Sequence, residues 1–187
     1  MRKIGFILGL FVLSTITMLA QQKELNTKTS KIDWLGKKVT GEHSGHISFE
    51  SGQLKFDGKK LASGEFKVDM NSITCTDISN EEYNANLVGH LKSDDFFGVD
   101  KHAYSTLKTT NVQSTSDGYK ITANLTIKGK TNAVSFKATT KEDKLIGVIK
   151  IDRTLYDVRY GSGKFFDNLG DKMIDDIFEL SFEIHYK

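Results

Sequence analysis

The chain has 187 residues, 27% of them charged, with 26 basic and 24 acidic side chains, one cysteine and no proline. Basic and acidic residues are interspersed, which argues against nucleic-acid binding, since that leaves a basic stripe. A lone cysteine excludes an internal disulfide, so stability must come from apolar burial and backbone hydrogen bonding.

The first segment reads MRKIGFILGLFVLSTITMLAQQ. Arg2 and Lys3 precede an uncharged, mostly apolar run from Ile4 to Leu19, the pattern of a secretory signal peptide, with cleavage expected after Ala20. The alternative is an uncleaved anchor, for which the run is near the short end of the roughly 17 to 25 residues that span a bilayer. Residues 1–20 carry two basic and no acidic side chains, so their removal takes the net charge from +2 to 0. The expectation is an exported protein, periplasmic in the first instance and secreted as the alternative. Residues 23–187 then form one domain, large enough to bury a core.

Alternation of apolar and polar residues dominates the remainder of the chain, the period of a strand with one face on a core. It appears at Ile32 and Trp34, Ile47 and Phe49, Leu54 and Phe56, then Phe66, Val68 and Met70, predicting short strands joined by tight turns. SNEEYNANLVGHL breaks the pattern: Tyr83, Leu87 and Leu91 recur every four residues, and Ser79 with Glu82 has capping-box spacing, predicting a short amphipathic helix. Its apolar stripe is expected to cover an open end of a barrel. The alternation resumes at Tyr119, Ile121, Ala123, Leu125 and Ile127, at Val134, Phe136 and Ala138, and from Phe178 through Leu180, Phe182 and Ile184 to Tyr186. SDG (116–118), KGKT (128–131) and KEDK (141–144) supply the turns. Eight or nine antiparallel strands in one domain predict a closed barrel or a split sandwich.

Residues that suggest chemistry have plainer readings. His43 and His46 form an H-x-x-H pair, but residues three apart on a regular strand point to opposite faces, so one metal ion could join them only through a bulge at Gly45. Further ligands, His90 or His102, follow from no spacing. Asp94 with Asp95 and Asp175 with Asp176 read as solvated loop charges or caps. No G-x-S-x-G elbow occurs, and YGSGKFF (160–166) lacks the spacing of a phosphate loop and reads as a bend before Phe165 and Phe166. Cys75 reads as a small buried side chain. No catalytic residue, metal site or cofactor is assigned.

The phrases WLGKKVTGEHSGHISF, GEFKVDMNSIT, LVGHLKSDDFFGVDKHAYSTLKT, LTIKGKTNAVSFKA and IDRTLYDVRYGSG, followed by LGDKMIDD, together resemble the YceI-like family of exported lipid-binding proteins. The likeness covers nearly all of residues 27–187. One departure is visible, KHAYS where the family usually has a proline after the FF pair.

The resemblance implies an all-β fold: an eight-stranded antiparallel β-barrel of lipocalin-like shape, with a short α-helix near one end and an apolar interior that holds a polyisoprenoid chain, such as a quinone or prenyl-lipid tail. Alternation and the shared fold together give the expected wall residues Phe49, Phe66, Val68, Leu125, Ile127, Phe136, Phe178, Leu180 and Phe182. Phe96 and Phe97 are expected near one end, turned in under the helix. Arg153 and Arg159 are candidate head-group partners, with surface arginine as the competing reading. The expected function is non-catalytic carriage or sequestration of such a lipid; the alternatives are a ligand-free interaction or stress-response barrel and an enzyme acting on a small lipid. Expected partners are a long-chain amphipathic lipid, transient membrane contact and, left open, a second copy in a homodimer.

Overall fold

The computed structural model describes residues 20–187. In chain order it contains strands β1 Gln21–Glu24, β2 Lys31–Lys38, β3 Gly41–Asp57 and β4 Lys60–Asp69, helix α1 Glu81–Lys92, then β5 Tyr104–Thr115, β6 Gly118–Ile127, β7 Lys130–Lys141, β8 Lys144–Asp152 and β9 Ile177–His185. Each strand from β2 to β9 pairs antiparallel with its sequence neighbour, and β2 also pairs with β9. Eight strands therefore close into a barrel, which leaves no long free sheet edge. The short β1 lies outside this ring, beside the second half of β3.

Turn chemistry sets the hairpins. Lys128 and Gly129 both take left-handed backbone, φ 49° and 71°, the signature of the two-residue turn whose twist matches antiparallel strands. Glu142 and Gly58 supply the same conformation between β7 and β8 and between β3 and β4.

The expectation of short strands fails at β3, which runs unbroken for 17 residues. Ile47 and Phe49 are in one phase and Leu54 and Phe56 in the other, and an odd spacing cannot keep both pairs on one face of a regular strand. A bulge resolves it: Phe49 pairs with Val68 and Ser51 with Lys67, leaving Glu50 as the extra residue, so all four apolar side chains are buried.

Strand directions define two poles. The hairpins at 58–59, 116–117 and 142–143 and the end of β9 lie at one, here the floor. The hairpins at 39–40 and 128–129, α1 and the long connection 153–176 lie at the other, the mouth.

A candidate lipid-tail cavity

Inward-facing residues of the eight strands enclose a cavity of about 460 Å³, lined almost wholly by apolar side chains. Phe49, Phe66, Val68, Leu125, Ile127, Phe136, Phe178, Leu180 and Phe182 all border it, as do Phe96 and Phe97. Aromatic pairs brace the wall edge to face, Phe136 with Phe182 at 5.8 Å between ring centroids and Phe97 with Phe178 at 6.3 Å. Sequence reasoning did not single out Leu145 and Ile149 of β8 or Leu107 of β5, which also line the space, and it weighed His90 of α1 only as a metal ligand, whereas His90 too lines the cavity.

At the mouth, Asn80 caps the start of α1, its side-chain oxygen accepting from the Tyr83 amide at 3.0 Å. The expected Ser79 cap is thus displaced by one residue, because the Asn80 carbonyl already serves the third helical amide. Leu87, His90 and Leu91 face the cavity, whereas Tyr83 is exposed and outside the stripe. Ser93 caps the other end of α1, its amide bonding the Gly89 and His90 carbonyls. Phe96 is buried and stacks edge to face on His90 at 5.4 Å, while Asp94 is exposed and paired with Lys101. The Lys101 hydrogen bond and charge hold the Asp94 carboxyl below its ordinary range. Lys128, at the tip of the β6–β7 hairpin, donates to the carbonyls of Asp94 and Asp157, joining the helix exit to the long connection.

Arg153 borders the cavity as expected, but it is neither a surface arginine nor a free donor. It is 2% exposed, and its guanidinium donates to four backbone carbonyls: Asp175 through Nε, Val158 and Tyr160 through Nη1, and Ile174 through Nη2, all between 2.8 and 3.0 Å. Nη2 also lies 3.8 Å from the Asp176 carboxylate. Those donors hold the 153–176 connection in shape and are not free for a head group. Arg159 takes the competing reading, a surface arginine: it does not border the cavity, pairs with Asp157 at 2.8 Å and stacks over Phe165. Within the connection Tyr156 and Val158 are fully buried, and burial pushes the Tyr156 phenol up to about 12.

The titratable residues that border the cavity lie at the mouth, whereas Thr109, midway along β5, is a polar residue of the wall. The titratable ones include Lys37, Lys38 and His43 of the β2–β3 hairpin and Asp171, Lys172 and Asp175 of the connection. Most of them are exposed, so the cavity reaches solvent there. Leu155, Tyr160, Phe165, Phe166 and Met173, all in the same connection, are exposed large apolar side chains.

His43 and His46 do not converge. Gly45 stays in register opposite Trp34, so no bulge forms. His43 Nδ1 meets Asp77 at 2.9 Å on the cavity side, and His46 Nδ1 meets Asp33 at 2.6 Å on the exposed side. Among the described residues no group of three or more His, Cys, Asp or Glu is placed to share an ion. Burial works to raise the Asp77 carboxyl, but hydrogen bonds from the Ser44 amide, His43 and the Cys75 thiol outweigh it and hold it down to about 2. Burial, with the Asp77 hydrogen bond, pushes the Cys75 thiol up, away from reactivity.

Known proteins share this architecture. BcnA of Burkholderia cenocepacia superposes with a TM-score of 0.66 at 23% identity, over 86% of this chain and 98% of its own. A polyisoprenoid-binding domain from Saccharophagus degradans, implicated in plant cell wall breakdown, gives 0.58 at 13% identity, over 88% of this chain and 97% of its own. The UPF0312 protein of Pseudomonas aeruginosa is 34% identical over 103 residues, 55% of this chain; the match spans 49% of that relative, so the chain covers about half the length of the curated relatives it matches. The sequence profile of the YceI-like domain matches residues 24–186, and with that match this chain belongs to the YceI-like family.

Proposed function

We propose that this protein binds a polyisoprenoid or similar amphipathic lipid, tail inward and head group at the mouth, and carries or sequesters it without chemical change. The observation that carries the reading is the placement of polarity: an apolar volume inside the barrel, open to solvent at one end, with its charged residues gathered at that opening. Each buried CH₂ contributes roughly 0.8 kcal/mol, so a five-carbon isoprene unit supplies about 3 to 4 kcal/mol as an upper value. A few units outweigh an association cost of about 4 to 15 kcal/mol. The Saccharophagus degradans domain, which binds a polyisoprenoid and shares the fold, supports the same assignment by analogy.

We further propose that the protein acts after export. The expected signal segment lies, apart from Ala20, outside the described residues; Gln21 is already paired in the sheet, so a cut after Ala20 leaves every described strand whole. The exposed apolar side chains of the 153–176 connection support transient contact with a lipid surface at the mouth.

The test is mass spectrometry of an organic extract of the mature protein, purified without detergent from a host containing its native lipids. A near-stoichiometric prenyl lipid or other long-chain amphiphile is expected, on a polypeptide whose intact mass begins at Gln21. An empty extract, repeated after isoprenoids are offered, would sink the carrier reading and leave a ligand-free interaction barrel in its place.

A further inference from the structure

We infer that the cavity measures the tail it accepts: it takes one chain of about 15 to 18 carbons, and Phe56, Leu61, Tyr119 and Tyr186 form the stop. The inference rests on the reading of the cavity as a lipid site and adds to it a length limit and the residues that set that limit.

Capacity follows from volume. A cavity of about 150 Å³ lined by Leu, Ile and Phe holds one benzene ring, six carbons. At the same ratio 460 Å³ holds roughly 18 carbons, three to four isoprene units or one ordinary fatty-acyl chain. Interiors pack to crystal-like density, which leaves no slack for a second tail alongside the first.

The floor is built to be a stop. The β3–β4 hairpin sets Phe56 opposite Leu61, and the Leu61 amide donates to the Tyr119 hydroxyl at 3.2 Å, pinning the start of β4 to the start of β6. Tyr186, just past β9, packs on Phe56 at 5.3 Å between ring centroids. Lys23 of β1 covers both rings, its ammonium 5.0 Å from the Tyr186 centroid and 5.9 Å from that of Phe56. Phe56, Leu61 and Tyr119 are buried. None of the four stop residues borders the cavity, whereas Leu54, Ile121 and Ile184, two residues nearer the middle of β3 or β9 or further along β6, do. The space therefore ends against a hydrogen-bonded, aromatic layer. A longer tail cannot thread past it, and its surplus carbons stay at the mouth in water, where they add nothing to affinity.

The experiment is a binding series with the mature protein and prenyl alcohols of two, three, four and nine isoprene units, read by the fluorescence of Trp34, which lines the cavity and is the single tryptophan of the chain. A parallel series of straight-chain fatty acids separates a prenyl preference from a length preference. Affinity is expected to rise at least tenfold from two to three units and to change by less than threefold from four to nine. Affinity that keeps climbing to nine units overturns the length limit and leaves lipid binding standing; no binding at any length overturns the lipid site itself. In Phe56→Ala, and in the milder Phe56→Leu should the first not fold, the plateau is expected to move to a longer tail. A folded variant with an unmoved plateau removes the stop from these residues.

Discussion

Arg153 donates through Nη1 to the carbonyl of Tyr160, 2.8 Å away, and so ties the root of the 153–176 connection to a residue at the edge of the mouth. The same guanidinium serves the carbonyls of Val158, Ile174 and Asp175, so one side chain stands in for the backbone pairing that an irregular segment lacks. Arg153→Ala is expected to cost about 3 to 5 kcal/mol, since it strands buried carbonyls and the Asp176 carboxylate together. Arg153→Lys is expected to recover only part, because an ammonium cannot span that fork of acceptors. Urea denaturation of the three proteins checks both, and a Lys variant as stable as the parent would refute the clasp.

Asp77 gives a pH dependence with a defined sign. Its carboxyl falls from 3.8 to about 2 in the folded chain. The stabilisation is therefore complete above pH 3.8 and is lost as the pH drops toward 2. Asp77→Asn is expected to be less stable than the parent at neutral pH, by about 1 kcal/mol, with the gap closing across that acid window. Denaturation midpoints at pH 7, 4 and 2 test it; a gap that is constant with pH would contradict the assignment.

Gly45 sits where a side chain has no room. A Cβ there would lie 1.8 Å from the Thr74 carbonyl oxygen and 2.8 Å from Trp34 Nε1, which donates to that same oxygen. Gly45→Ala is expected to force the 74–76 segment off β3, at a cost of about 1 to 3 kcal/mol. The emission of Trp34 should shift to the red as its indole N–H exchanges the Thr74 carbonyl for water. An unchanged spectrum with unchanged stability would show that the segment gives way freely.

The paired aromatics Phe165 and Phe166 should report membrane contact. Replacing both with serine removes exposed apolar surface without touching the cavity wall. The double variant is expected to keep its thermal midpoint within a few degrees, a change of about 0.5 kcal/mol, and to lose co-flotation with phospholipid vesicles. Equal flotation by both proteins would move the contact elsewhere.

The barrel is readable in the sequence where nothing interrupts the period. Along β6 the residues Tyr119, Ile121, Ala123, Leu125 and Ile127 alternate without a break and all five are buried. In β8 the inward series passes through Gly147, and the Phe182 ring fills the place a side chain would take, its Cζ 2.5 Å from a would-be Cβ. A glycine at an inward position hides the alternation, which is why Leu145 and Ile149 do not stand out as wall residues. The β3 bulge at Glu50 is equally illegible, because its cause is pairing with a strand that comes later in the chain. Arg153 misleads for a third reason. Charge predicts exposure until the fold supplies enough acceptors, and those acceptors lie up to 22 residues away.

Both ends of the described chain meet at the floor: Gln21 pairs with Phe56, and the Lys187 amide donates to the Glu24 carbonyl. The opening faces the opposite way. An affinity handle, a fluorescent fusion or a solid support joined at either end leaves the opening clear, so loading can be measured on immobilised protein. A handle inserted into the 153–176 connection would block it.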